Sequence, residues 1–300
     1  MLTTSHRLIN GDARDLSFLD DGSVHLVVTS PPYWNLKRYQ ENPDQLGHIQ
    51  DYEAFLSELE KVWSTLGGQL SSELILALFS PVLAKPQPDW PRHTHLTGFP
   101  FLDQADLIPP PGLREFLDSG PAPVVFTLGS AAVLCADNFY RESAAAARQI
   151  GRRALLLVGK ETRNELPGSM TPDIAAFDYA PFSEVFPRAC AIVHHGGIGS
   201  TGQALRAGKP MMVVPSSHDQ PDNAARLVRL GVARTIPSHR YTARRAADLL
   251  QRLLSDPRYA DAAAEIGRQV QSEDGVASAC NLLEELLAAR APSTAGRVEL

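Results

Sequence analysis

Three hundred residues make one large domain or two modest ones, with enough chain to bury a real core. A net charge of −6 excludes nonspecific binding of nucleic acid or anionic membrane by the chain as a whole. Three scattered cysteines (Cys135, Cys190, Cys280) without a CxxC pair support neither a disulfide framework nor zinc. No basic-then-apolar leader and no apolar run of about 18 residues is present, so a cytoplasmic protein with no transmembrane segment is expected.

Residues 1–63 open with short strand patterns at Arg7–Asn10 and His25–Thr29, then Ser30-Pro31-Pro32-Tyr33-Trp34. A helix is predicted over Asp51–Trp63, with Tyr52, Phe55, Leu56, Leu59 and Val62 on one face. This piece carries five Lys/Arg against ten Asp/Glu, whereas the remainder carries 23 against 24. The shift falls at the small, polar run Ser64–Ser72, which reads as a domain boundary.

After that seam comes one strand pattern, Leu74–Phe79, and a proline-rich stretch from Pro81 to Pro123 that is too interrupted for long helices or central strands. From Val124 the pattern becomes regular. Strands are predicted at Val124–Leu128, Ala154–Val158, Ile174–Phe177, Ala191–Val193, Met211–Val214 and Ala233–Ile236. Helices are predicted at Asn138–Ile150, Ser200–Ala207, Asn223–Leu230, Thr242–Leu254, Pro257–Gln271 and Val276–Ala289. Continuous apolar strands alternating with helices imply an α/β, Rossmann-like parallel sheet covered on both faces. The expected division is 1–63, a seam and linker over 64–123, a ligand-binding domain over 124–290, and a tail over 291–300.

The richest stretch is His194-His195-Gly196-Gly197-Ile198-Gly199-Ser200-Thr201-Gly202-Gln203. A strand, a glycine turn and a helix start bring unpaired backbone N–H groups and a positive helix end to one point, suited to phosphate or diphosphate. Two histidines before the turn, with Asp219-Gln220 after the next strand, point to a nucleotide-sugar. The run also satisfies GxGxxG, with Asp219 about 20 residues on, so an NAD-type oxidoreductase is a competing reading. Against it, about three strands precede the turn where a dinucleotide fold places one, and Pro215–His218 separate the acid from its strand.

Over residues 70–290 the chain resembles the carboxy-terminal part of a family 1 glycosyltransferase of the GT-B fold. The match rests on Thr127-Leu128-Gly129-Ser130, Tyr179-Ala180-Pro181-Phe182, the His194–Gln203 run, Gly208-Lys209-Pro210, and Pro215 through Asp219-Gln220 to Asn223-Ala224, in the family's order and spacing. The resemblance implies a UDP-sugar donor and a small-molecule or lipid hydroxyl as acceptor. It implies Gly129 and Ser130 as phosphate donors, Tyr179 stacking on the base, and the Ala180 backbone reading its edge. His195 with Gly197, Gly199, Ser200 and Thr201 would cradle the diphosphate. Gln203 replaces a common Glu at the ribose, and Asp219 and Gln220 would hold the sugar hydroxyls. Phe182 departs from the polar residue of plant relatives. No metal ligand set is implied. The family's general-base histidine belongs to an amino-terminal domain of which only a remnant is expected here, so the catalytic residue is unassigned and turnover by this chain alone is expected to be weak or absent.

Residues 1–63 have a resemblance of their own. Asn10-Gly11-Asp12-Ala13 followed by Thr29-Ser30-Pro31-Pro32-Tyr33-Trp34 resembles the start of an amino-methylating DNA methyltransferase of the N4-cytosine or N6-adenine type. That resemblance implies a pocket at Ser30, Pro31, Pro32 and Tyr33 for a flipped base. A later Phe-x-Gly-x-Gly for S-adenosylmethionine is lacking, and an acidic fragment is poorly suited to DNA. An inactive fragment that binds neither is expected, and the chain reads as a fusion.

Overall fold

The structure, a computed structural model, describes residues 74–88, 90–103, 108–129, 136, 138–159 and 171–290. The chain divides into two compact units, Met1–Ile75 with Pro91–His95, and Leu76–Trp90 with Leu96–Leu300. The methyltransferase-like stretch lies outside the described residues, as does Ser130.

Two short strands, β1 (Ile75–Ala77) and β2 (Thr94–Leu96), pair with each other. Among its described residues the proline-rich stretch holds one six-residue helix, α1 (Leu113–Asp118), which begins after the left-handed Gly112. The larger unit is then built on six parallel strands: β3 (Val124–Thr127), β4 (Ala154–Leu157), β5 (Ile174–Phe177), β6 (Ala191–His194), β7 (Met211–Val213) and β8 (Ala233–Thr235). Their order across the sheet is β5-β4-β3-β6-β7-β8. The helices are α2 (Phe139–Gln149), α3 (Phe182–Val185), α4 (Ile198–Arg206), α5 (Gln220–Arg229), α6 (Ala243–Ser255), α7 (Pro257–Gln271) and α8 (Gly275–Arg290).

The two-residue period of a strand divides the core. Val124, Phe126, Leu156, Val193 and Met212 point to one face, where Tyr140, Ala144 and Ala147 of α2 and Ala246, Leu250 and Leu253 of α6 cover them. Val125, Leu155, Leu157, Ile192, Met211 and Val213 point to the other, under α1, α3, α4, α5 and α7. Burial on both faces explains why β4, with the helix-favouring sequence Ala-Leu-Leu-Leu, is a strand: packing outweighs local propensity. Gly267 of α7 meets Gly208 after α4 so closely that a Cβ at 267 would stand 2.6 Å from the Gly208 Cα, which fixes α4 against α7.

Chain order determines where a ligand can sit. From β3 the chain steps outward through β4 to β5, then returns to the opposite side of β3 as β6 and continues to β7 and β8. The direction reverses between β3 and β6, so the crevice beyond their carboxyl ends is the switch point where such sheets bind ligands.

Candidate nucleotide-sugar site

Gly129, just past β3, and His195, just past β6, meet at that switch point. The His195 imidazole is wedged between two glycines. A Cβ at Gly129 would stand 2.6 Å from its Cε1, and one at Gly197 would stand 2.3 Å from its Nε2. Gly129 also has φ +67°, a conformation that other residues adopt at a cost. Glycine at both positions therefore leaves the room that the ring occupies.

His195 is 9% exposed and its Nδ1 is buried without a hydrogen-bond partner. Burial pulls its pKa down to about 4, so at neutral pH the ring is uncharged and carries one N–H to donate. His194 is fully buried, and its Nδ1 accepts from the Gly196 N–H at 3.1 Å. Burial first, and the neighbouring His195 second, hold it neutral with a pKa of about 3. It shapes the turn from within.

Helix α4 opens beside His195 with Gly197 at its N-cap in extended conformation and no acidic residue in its first turn. The Thr201 N–H bonds back to Gly197 O at 2.9 Å; the N–H groups of Ile198, Gly199 and Ser200 precede the first such bond and have no intrahelical acceptor. Ile198 and Gly199 are exposed. Ser200 is buried, and Thr201 is 0% exposed with its hydroxyl enclosed and unpartnered. Of the predicted cradle, the Thr201 side chain is thus fully enclosed rather than open to the crevice.

A second feature lies farther along α4. A cleft of about 230 Å³ is lined by Leu102, Tyr179, Ala180, Pro181, Phe182, Ser183 and Gln203. It brings together three residues singled out from sequence: Tyr179, Ala180 and Gln203. Tyr179 is 55% exposed, which excludes an ordinary core role. Phe182 is held by stacking on Phe186, with ring centroids 4.3 Å apart and planes at 13°. A second cleft of the same volume adjoins it, sharing Phe182, Ser183 and Gln203 and reaching Arg206 and Gln271.

Leu102 carried no sequence signal. It reaches the cleft because its segment is strapped to α4. The Phe99 ring packs where a Gly202 Cβ would be, 2.8 Å from Cδ1. The Arg206 guanidinium sits 4.6 Å above the Phe101 ring and pairs in two-pronged fashion with Asp103, Nη1 to Oδ1 at 2.8 Å. That hydrogen bonding lowers the pKa of Asp103 below the usual carboxylate value.

The loop from β7 to α5 completes the site. Asp219 is at the N-cap of α5 yet makes no side-chain bond to a helix N–H; its Oδ2 accepts from Asn223 Nδ2 at 2.8 Å. Gln220 Oε1 accepts from Ser216 N at 2.9 Å, Ser216 Oγ at 3.0 Å and Ser217 N at 3.3 Å. The carbonyl oxygen expected to meet a sugar hydroxyl is therefore spent on its own loop, leaving only the amide nitrogen of Gln220 to a ligand. Asn223 was not singled out as a site residue, although its spacing of four from Asp219 on a helix places the two on one face.

Among the described residues, no group of three or more His, Cys, Asp or Glu could hold a metal ion, and no helix is long and apolar enough to cross a membrane. Residues 146–286 match a family model described as the C-terminal domain of erythromycin biosynthesis protein CIII-like proteins. The chain is 43% identical over 209 residues to O-mycaminosyltylonolide 6-deoxyallosyltransferase of Streptomyces fradiae, covering 69% of this chain and 48% of that protein. It is 31% identical over 224 residues to a sterol 3-beta-glucosyltransferase of Cryptococcus neoformans, covering 67% of this chain and 14% of that one. The chain thus spans less than half the length of either relative. The glycotransferase of kitacinnamycin superposes with a TM-score of 0.63 at 23% identity, over 81% of this chain and 65% of that one. The glycosyltransferase VinC, solved with DTDP, superposes with a TM-score of 0.58 at 23% identity, over 81% and 61%. These likenesses establish the GT-B glycosyltransferase fold of the larger unit.

Proposed function

We propose that the larger unit binds the donor of a glycosyl transfer, a pyrimidine nucleoside diphosphate sugar, and serves the transfer of its hexosyl group to a hydroxyl of a small molecule or lipid. The observation that carries this reading is the neutral His195 imidazole, seated between Gly129 and Gly197 beside the unpaired N–H groups of α4. The helix end supplies about half a positive charge, and the imidazole N–H adds one directed donor. Gly199 offers a backbone N–H group at the same crevice, whereas the Gly129 N–H expected to do so donates to Thr127 Oγ1 at 3.3 Å, leaving Gly129 to make room for the ring. The base lies against Tyr179 with the Ala180 backbone at its edge, Gln203 meets the ribose, and Asp219 accepts from sugar hydroxyls.

In the transfer, the acceptor oxygen forms a bond to the anomeric carbon as the bond from that carbon to the diphosphate oxygen breaks. The departing diphosphate takes the electron pair, and inversion follows from attack opposite the leaving group. Stabilising that departing charge is the work of the corner at His195. The acceptor's proton passes to a base that is assigned to no described residue.

UDP is the nucleotide that the family resemblance implies; the DTDP held by VinC favours thymidine diphosphate as a second reading. Calorimetry with UDP, TDP, NAD and S-adenosylmethionine tests the proposal. A saturable isotherm for UDP or TDP, with none for NAD or S-adenosylmethionine, is expected. Binding of NAD alone would return the glycine run to the dinucleotide reading, and binding of neither pyrimidine nucleotide sinks the donor site.

A further inference from the structure

Asn223 sits on α5, 6% exposed, with its backbone N–H bonded to Asp219 O at 3.0 Å. Its carboxamide nitrogen donates twice. One bond goes to Gly196 O at 2.9 Å, in the turn before the α4 mouth, and the other to Asp219 Oδ2 at 2.8 Å. The Gly196 N–H in turn donates to His194 Nδ1 at 3.1 Å. A continuous chain of hydrogen bonds therefore runs from the buried imidazole at the end of β6, through the turn, to the carboxylate before α5.

The turn has no slack against this chain. Gly196 has φ +92°, and a Cβ there would stand 2.9 Å from Val213 Cγ1 and 3.1 Å from Gln220 O, so it seats directly on β7 and the start of α5. The carboxylate is equally constrained. With Oδ2 held, Asp219 presents Oδ1, which accepts no hydrogen bond among the described residues. The two N–H bonds of one amide thereby fix both the diphosphate corner and the group aimed at the sugar.

We infer that Asn223 is a positioning residue that couples the diphosphate corner to the sugar-binding carboxylate, an inference that rests on the donor-site reading above. A carboxamide suits this task because it offers two N–H bonds in one plane; aspartate offers none at neutral pH and would set a second charge beside Asp219. The coupling makes affinity for the sugar and for the nucleotide respond differently to its loss. Asn223→Ala frees the turn and the carboxylate together, whereas Asp219→Ala removes the carboxylate with its Asn223 bond but leaves the Asn223–Gly196 bond that holds the turn.

The test is calorimetry on the full chain with UDP, TDP, UDP-glucose and TDP-glucose, read on the nucleotide and nucleotide-sugar pair that the wild type binds, with Tm recorded for each variant. Asn223→Ala is expected to weaken nucleotide-sugar binding by about tenfold or more, and nucleotide binding by less. Asp219→Ala should weaken the nucleotide-sugar and leave the nucleotide unchanged. In the double variant the nucleotide-sugar loss should fall well short of the product of the two single losses. A purely structural Asn223 would lower Tm and scale both affinities alike, or multiply independently with Asp219→Ala; either result overturns the inference. Should Asn223→Ala fail to fold, Asn223→Ser, which keeps one donor, is read on the same criteria. A wild-type chain that binds neither nucleotide defeats the donor-site reading and this inference with it, whereas wild-type binding unmoved by Asn223→Ala defeats the inference alone.

Discussion

The corner at His195 and the cleft at Tyr179 share helix α4 but are built on opposite terms. In the corner, an imidazole is locked between two glycines, a turn is seated on β7 and α5, and two histidines are held neutral by burial. In the cleft, Tyr179 and Leu102 are 55% and 75% exposed and face open space. The corner is organised before a ligand arrives, so its contribution is geometric. The cleft gains mainly when a flat ligand covers its apolar groups, so its contribution is burial and stacking. On the proposed donor-site reading, anion recognition would depend on rigidity, and base recognition on exposed surface.

Substitutions can separate the two. The largest effect is expected from Gly197→Ala, whose Cβ would fall 2.3 Å from His195 Nε2 and drive the ring out of the corner. Overpacking of this kind costs roughly 1–3 kcal/mol on top of the lost imidazole donor, so calorimetry should find nucleotide affinity reduced by about a hundredfold or more. An affinity equal to wild type would mean that the ring's seat does not matter to binding. His195→Ala removes the donor without distorting the turn and should cost roughly 1.5–3 kcal/mol in nucleotide binding, the range for a hydrogen bond to a charged group.

Tyr179→Ala sharpens the contrast. Loss of stacking should cost roughly 1–3 kcal/mol for the nucleotide while leaving inorganic pyrophosphate binding as it was. Equal losses for both ligands would merge the two regions into one site.

Acid provides a separate probe of the corner. His194 and His195 have folded-state pKa values lowered to about 3 and about 4, below the value of 6.5 for a free imidazole. Between about pH 6.5 and pH 4 the unfolded chain therefore binds more protons than the folded one, so stability falls as pH falls through that window and is independent of these groups above it. Thermal melts should show Tm dropping from pH 7 to pH 5, and His195→Gln should flatten part of that slope. The smallest effect belongs to Gly199→Ala. A Cβ there meets nothing within 4 Å, so nucleotide affinity is expected to stay within about twofold of wild type.

Much of the fold was legible because fully buried strands and amphipathic helices leave strong patterns. β5 and α7 match their predicted bounds, and the other strands and helices of the sheet domain agree at their centres. Ends differ where tertiary contacts decide: α4 begins two residues before its predicted start and α5 three, because the first turn of each is set by a loop that the sheet holds in place. The proline-rich stretch holds no long helix among the described residues, as its prolines imply, and the short α1 within it carries Leu113 and Leu117, four apart, as its sequence signal. The methyltransferase-like residues Ser30, Pro31, Pro32 and Tyr33, and Ser130, lie outside the described residues.

By itself the sequence determined the parallel α/β sheet and the glycine turn at a strand's carboxyl end, because periodicity and local spacing encode secondary structure and its turns; the candidates Tyr179, His195, Gln203 and Asp219 rest on the family resemblance. Only the tertiary structure decided what those residues have as partners. It enclosed the Thr201 hydroxyl, spent the Gln220 oxygen on Ser216 and Ser217, drew Leu102 to the cleft through Arg206, and linked Asn223 to Gly196 and Asp219. Apart from the short-range Gln220 and Asn223–Asp219 bonds, these contacts join positions far apart in sequence or depend on helix–sheet packing. The side chain's identity fixes what it can bond, and the folded backbone fixes which partner is within reach.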